Sequence, residues 1–413
     1  MTHLTRIAAG TPPAPPQMAP RIVLYSHDTL GFGHLRRNLM IAHALRQSPL
    51  CPDILMIVGM REAGAFEMPA GVDCLALPAY AKGGDGSYRP RDLGADLRRL
   101  TGLRARTIEA AVRGFDPDLM LVDNVPRGAL HELDPTLEAL AARGRARLVL
   151  GLRDVIDTPA VVRRQWLRQR NFEAVRRYYS DVWIYGDPAF YDIVEDCGLQ
   201  GAFAGKARHV GYIDHAARLA SGFAVPDRDA VLGDDSRPYV LCAVGGGRDG
   251  AALCEAFAAT PLPAGHRGIL VTGTQMPAAT RESLRMRAAS RDDLTVVDFV
   301  REPIALMQGA ARIVSMGGYN TVCEVLSLGR PALIVPRARP RAEQAIRAER
   351  LAAQGMVGML HPDRLSPAAI AAWLAAPPPP RAAEARTHLD LGGLARVRAL
   401  AEHALTPALR AAC

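Results

Sequence analysis

From Arg21 onward, short runs of Val, Ile and Leu alternate with helix-forming segments, and this rhythm limits the fold more than any other feature of the chain. A strand that is apolar at consecutive positions has to be buried on both faces, which is the situation of a parallel sheet covered by helices. The first half predicts strands at 21–26, 54–59, 72–77, 119–123, 147–152 and 182–185. The second half predicts them at 239–244, 268–272, 294–299, 312–315, 332–336 and 357–360. Helical patterns fall between, at 35–45 and at 342–353 for example, the latter followed by Gly355 as a stop signal. Gly, Ser, Asp and Pro interrupt the rhythm between residues 211 and 238. The expected fold class is α/β, with two doubly wound, Rossmann-like parallel-sheet domains facing a cleft at the carboxyl ends of both sheets. The expected division is a flexible Pro-rich tail at 1–20, a first domain at 21–213, a linker at 214–237, a second domain at 238–376, and a helical segment at 377–413 that can cross back to the first domain.

Size and composition agree with two such domains. At 413 residues the chain exceeds what one hydrophobic core usually serves, and 49% hydrophobic residues exclude a largely disordered protein. No apolar run approaches the roughly 20 residues of a membrane-spanning helix. Residues 1–17 lack the continuous apolar core of a secretory signal. Seven dispersed cysteines without a CxxC pair fit reduced thiols, so a cytoplasmic location is expected. The net charge of +8 comes largely from arginine, clustered at Arg98, Arg99, Arg104, Arg106 and Arg113 and again between Arg163 and Arg177. Such clusters can meet anionic lipid at the inner face of a membrane, or a phosphorylated substrate, but solvated helix faces in an Ala/Arg-rich chain are the simpler account. Aromatics are few and none interleave with the basic clusters, so no nucleic-acid partner is expected.

Three glycine-bearing turns follow strands. They are Ser26-His27-Asp28-Thr29-Leu30-Gly31-Phe32-Gly33-His34, the run from Gly245 to Gly250, and Ser315-Met316-Gly317-Gly318-Tyr319-Asn320-Thr321. Turns of this kind bring backbone N–H groups close to a ligand, and the helix N-terminus that follows favours negative charge. In the third turn Asn320 or Thr321 can cap the helix, and Thr321 and Glu324 lie three residues apart on one face. A hydroxyl, free amides and a carboxylate suit a nucleoside diphosphate sugar; a plain strand-to-helix turn explains the same glycines. The second turn matches G-x-G-x-x-G, with Gly246 and Gly247 available to phosphate or a neighbouring sugar. A dinucleotide site would need an acid ending the next strand, but that strand ends Val271-Thr272-Gly273, so no such cofactor is expected.

Candidate catalytic groups lie in the first half. His34 begins a helix, where the dipole disfavours imidazolium and suits a neutral general base. His27 and Asp28 are alternatives in the same loop, and Asp123 and Asp154 end other strands of that half. Capping a helix or a turn is the structural alternative for each. No metal site is expected. Asp116-Pro117-Asp118 precedes a strand and reads as a turn, and no His/Cys cluster has zinc spacing. A G-x-S-x-G elbow and a G-x-x-x-x-G-K-[ST] loop are both absent from the sequence.

Asp298-Phe299-Val300, the run from Ser315 to Glu324, Gly329-Arg330-Pro331, Pro336 and Glu343-Gln344 continuing to Gly355 form an ordered set. This set resembles the donor-binding half of GT-B-type glycosyltransferases. The specific group is the one containing the undecaprenyl-diphospho-muramoylpentapeptide N-acetylglucosaminyltransferase of peptidoglycan synthesis, glycosyltransferase family 28. The resemblance implies that Glu324 holds the ribose, that Gly317, Gly318 and Thr321 meet the diphosphate, that Gln344 contacts the donor sugar, and that the backbone near Val300 reads the base. It implies that the Gly31-Phe32-Gly33-His34 turn is the family's N-terminal glycine loop, although Phe32 and Leu30 make it bulkier than usual. Segments 26–37, 121–128 and 185–188 look more like an uncharacterised bacterial branch, so no lipid-linked muramoyl acceptor is carried over. The implied reaction is metal-independent transfer of a hexose or N-acetylhexosamine, with inversion, from a UDP-linked donor to an acceptor hydroxyl. An epimerase on the same scaffold and a non-catalytic nucleotide-sugar binder are the alternatives.

Overall fold

A computed structural model describes residues 19–27, 33–83, 87–220 and 226–411. The tail expected at 1–20 lies outside them except for its last two residues. The strands are β1 (Arg21–Ser26), β2 (Asp53–Val58), β3 (Val72–Ala76), β4 (Tyr80–Lys82), β5 (Tyr88–Pro90), β6 (Leu119–Asp123), β7 (Arg147–Arg153), β8 (Asp181–Tyr185) and β9 (Ala207–His209). They continue with β10 (Tyr239–Ala243), β11 (Arg267–Val271), β12 (Leu294–Val297), β13 (Arg312–Ser315), β14 (Ala332–Ile334) and β15 (Gly358–Met359).

One sheet runs β3-β2-β1-β6-β7-β8-β9 and the other β12-β11-β10-β13-β14-β15, with β4 and β5 forming a separate antiparallel pair. Neighbours within both large sheets are parallel. Each sheet therefore starts in the middle and reverses direction between its first and fourth strands, the place where doubly wound folds bind ligands. This is the two-domain α/β architecture that the alternating pattern predicts. Strands β1, β6 and β10 are buried along nearly their whole length, as consecutive apolar residues require.

The helix Gly33–Arg46 buries Leu35, Met40, Ile41 and Leu45 and packs on the final helix, Gly393–Ala411. That last helix offers Val397, Ala401 and Leu405, a stripe with a four-residue repeat, all within 1% of full burial. Just before it, Tyr212 and Asp390 pair through their backbones, so the chain's end is tied to the first domain. One apolar core runs across both domains, and a second covers the other face of the β10–β15 sheet.

Arg104 corrects one expectation. It belongs to no exposed basic face: it is wholly buried and grips Glu132 with two hydrogen bonds, from Nε at 2.6 Å and NH2 at 2.7 Å. The Tyr25 and Tyr80 hydroxyls donate to the same carboxylate. The other arginines of the cluster, Arg98, Arg99, Arg106 and Arg113, are exposed.

Candidate functional site

A cleft of about 250 Å³ opens between the domains at the carboxyl ends of β10, β11 and β13. Its floor on the second-domain side is Gly245, Gly246 and Gly247, followed by Arg248 and Asp249. Gly247 has φ of +90°, and a Cβ there would lie 2.1 Å from the Thr272 carbonyl oxygen, so only glycine lets the two loops close up. Opposite stand Gly318, Asn320, Thr321 and Glu324, with Val300 and Gln344 at the ends. From the first domain, Gly33 and Arg36 complete the wall. Of the residues expected to bind substrate, Gly33, Gly246, Gly247, Val300, Gly318, Asn320, Thr321, Glu324 and Gln344 thus share one cavity. Gly317 sits just behind it, its carbonyl accepting from Arg347 NH1 at 3.2 Å. Gly31 and Asp28 lie outside the described residues.

The turn after β13 has its own local logic. The helix Tyr319–Leu328 begins two residues earlier than capping by Asn320 would require and three earlier than capping by Thr321, with Gly318 as its N-cap and no side-chain cap. Its first amides therefore face the cleft without a competing side chain. Asn320 instead reaches across the cleft and donates from Nδ2 to the Gly33 carbonyl at 2.7 Å. Glu324, 2% exposed, has the buried His215 ring 3.7 Å from its Oε1, and Arg36 attracts it from the facing domain. Gln344 accepts at Oε1 from the Arg337 N–H, which leaves its NH2 end as the donor.

Across the cleft, β6 delivers Asp123 beneath the first turn of the Gly33–Arg46 helix. His34 Nδ1 is 2.5 Å from Asp123 Oδ2. Arg37 NH2 donates to both Asp123 oxygens, at 2.7 and 2.5 Å. Burial alone would raise the Asp123 carboxyl, but Arg37 and His34 beside it hold it well below the usual carboxylate range. An ionised carboxylate only accepts, so His34 Nδ1 carries a proton and donates it to Asp123. In a neutral ring this contact selects the Nδ1–H tautomer and leaves the lone pair on Nε2. Asp123, 1% exposed and engaged at both oxygens, orients the His34 ring. His27 lies nearby, its ring centroid 5.1 Å from that of His34.

Asp154 turns out to hold the domains together. Arg347 of the helix Glu343–Ala353 donates to it from NH2 at 2.6 Å and Nε at 3.0 Å, and the Tyr212 hydroxyl donates at 2.8 Å. Tyr319 lies between Arg37 and Arg347, each guanidinium 5.5 Å from its ring centroid. Sequence reasoning missed Arg36 and Arg37. Arg37 carried a signal, being three residues beyond His34 and therefore its helix neighbour.

Among the described residues, no group of three or more His, Cys, Asp or Glu is placed to hold a metal ion, and no helix is long and apolar enough to cross a membrane.

Residues 244–387 match the glycosyltransferase family 28 C-terminal domain. One curated relative is the UDP-N-acetylglucosamine--N-acetylmuramyl-(pentapeptide) pyrophosphoryl-undecaprenol N-acetylglucosamine transferase of Paenarthrobacter aurescens (strain TC1), 31% identical over 176 residues. The match spans 40% of this chain and 46% of that relative, less than half its length. Solved structures share the fold over nearly the whole chain. The calicheamicin glycosyltransferase superposes with TM-score 0.60 at 17% identity, covering 94% of this chain and 99% of that one. MurG of Acinetobacter baumannii gives 0.56 at 15% identity, covering 92% and 99%. A putative UDP-N-acetylglucosamine 2-epimerase of Listeria monocytogenes gives 0.61 at 12%, covering 94% and 97%. The second domain of this chain is thus similar to the glycosyltransferase family 28 C-terminal domain, and the whole chain shares the two-domain GT-B fold of these glycosyltransferase structures.

Proposed function

We propose that the protein is an inverting glycosyltransferase that takes a hexose or N-acetylhexosamine from a nucleoside diphosphate sugar, with UDP as the nucleotide. The observation that carries this reading is the His34–Asp123 pair, set one residue from the cleft wall at Gly33, in a cleft that the uncapped helix start at Gly318 also lines. In the proposed step, Nε2 of His34 takes the proton of an acceptor hydroxyl. The acceptor oxygen bonds to the anomeric carbon while the bond from that carbon to the phosphate oxygen breaks, its electron pair leaving with the nucleoside diphosphate. Developing charge on the leaving group meets the amides of the Gly317–Thr321 turn and Arg36. Glu324 is assigned to the ribose hydroxyls, Gln344 to the sugar, and the Val300 backbone to the base. The acceptor is assigned only as a hydroxyl compound, lipid-linked or anionic acceptors included, with contact at a membrane surface through the exposed arginines as part of that reading.

The test pairs a thermal-shift screen of nucleoside diphosphates with an assay for released diphosphate. Uridine diphosphate at 100 times its dissociation constant adds about 2.7 kcal/mol of apparent stability. His34→Ala lowers turnover about 10²–10⁴-fold while leaving nucleotide affinity within twofold or so. Full turnover in that variant would remove His34 from the mechanism. Conversion of a lone nucleotide-sugar to its epimer, without any acceptor, would favour the epimerase chemistry instead.

A further inference from the structure

A histidine–aspartate pair by itself favours the charged imidazolium, because the carboxylate attracts the second proton. An imidazolium has no lone pair and abstracts nothing. Here a third group opposes that tendency. Arg37 NH2 lies 3.0 Å from His34 Nδ1 while bonded to both oxygens of Asp123. With Nδ1–H committed to Asp123, the Arg37 contact is no hydrogen bond but a fixed positive charge against the ring. Arg37 is itself only 2% exposed, so water screens it little. Its guanidinium lies over two rings, Tyr185 of β8 at 5.6 Å and Tyr319 of the donor-side helix at 5.5 Å.

We infer that Arg37 is a positioning residue that keeps His34 unprotonated, and so competent as a base, near neutral pH. This rests on the proposed transferase reading for its catalytic meaning, though not for its electrostatics. The groups facing His34 are Asp123 from β6, Arg37 from its own helix and His27 at the end of β1. Tyr185 and Arg153 act at one remove, through Asp123 and Arg37. Because Tyr319 belongs to the helix that lines the donor cleft, the charge that tunes the base is packed against the element that receives the donor.

The test follows the titration of His34 directly, by NMR of the full chain labelled with ¹³Cε1-histidine, the signal assigned by its loss in His34→Gln. In Arg37→Gln the midpoint rises by about one pH unit or more. In Arg37→Lys, which keeps the charge, it lies nearer to wild type than in Arg37→Gln. An unchanged midpoint in Arg37→Gln overturns the inference. If Arg37→Gln does not fold, Asp123→Asn reads the same effect from the other side. With the carboxylate gone and Arg37 kept, the midpoint falls below the ordinary imidazole value of about 6.5; a value at or above it overturns the inference. The acid limb of the kcat/KM profile in Arg37→Gln moves upward with the NMR midpoint. A risen midpoint with an unmoved limb supports the electrostatic role of Arg37 and counts against His34 as the base of the proposed transfer.

Discussion

Replacing Asp154 with asparagine removes the anion from the buried pair that spans the two domains. Asp154 and Arg347 both have fully buried side chains, and Arg347 also donates to the Gly317 and Val155 carbonyls. Breaking one partner of such a pair strands the other's charge in a low-dielectric interior, which costs about 3–5 kcal/mol. Asparagine still offers an oxygen to Tyr212 and to one guanidinium N–H, which places the expected loss near the lower end, about 3 kcal/mol. That is roughly a hundredfold change in the equilibrium between intact and opened protein. Urea unfolding followed by tryptophan fluorescence reads it, since Trp183 and Trp166 are buried in the first domain and Trp373 belongs to the second. The double variant Asp154→Leu/Arg347→Met carries no stranded charge and recovers most of the loss. A loss under about 1 kcal/mol in Asp154→Asn would refute the reasoning, because that is the range of a hydrated surface pair.

Glu324→Ala weakens binding of a nucleoside diphosphate by about 1.5–3 kcal/mol in calorimetry; equal affinity in the two proteins would sink the ribose assignment. Turnover survives excess EDTA, and activity that vanishes with chelator and returns with Mg²⁺ or Mn²⁺ would show the leaving group to be stabilised by a cation. Gly247→Ala forces a Cβ against the Thr272 carbonyl at 2.1 Å and a positive φ, so the loop moves and nucleotide affinity drops at least about tenfold. An unaltered affinity in a folded Gly247→Ala protein would mean the loop does not touch the ligand.

The strands were readable because burial on both faces leaves an unbroken apolar run, as in Ile22-Val23-Leu24-Tyr25 and Val240-Leu241-Cys242. β9 escaped because Ala207-Arg208-His209 has no such run and is a strand only through its pairing with β8. The β4–β5 pair escaped for the same reason, being short and half polar. On the second-domain side the cleft residues lie close together in sequence, so the run from Gly317 to Glu324 could be read as one unit. His34 and Asp123 are 89 positions apart, and only the adjacency of β1 and β6 brings them together. Arg104 shows the opposite limit: its basic neighbours suggested a surface, and the deciding partner, Glu132, sits in another element.

The final helix also sets an order of events during synthesis. The second sheet, β10 to β15, comes from one uninterrupted stretch of chain and can close as soon as that stretch has left the ribosome. The first sheet is made earlier, yet the Gly33–Arg46 helix that covers it waits for Val397, Ala401 and Leu405. Those residues emerge roughly 350 positions later, about 20–70 s at typical elongation rates of about 5–20 residues per second. Throughout that interval the nascent first domain shows an apolar helix face to its surroundings, and it is there that a chaperone would bind and that an interrupted chain would aggregate.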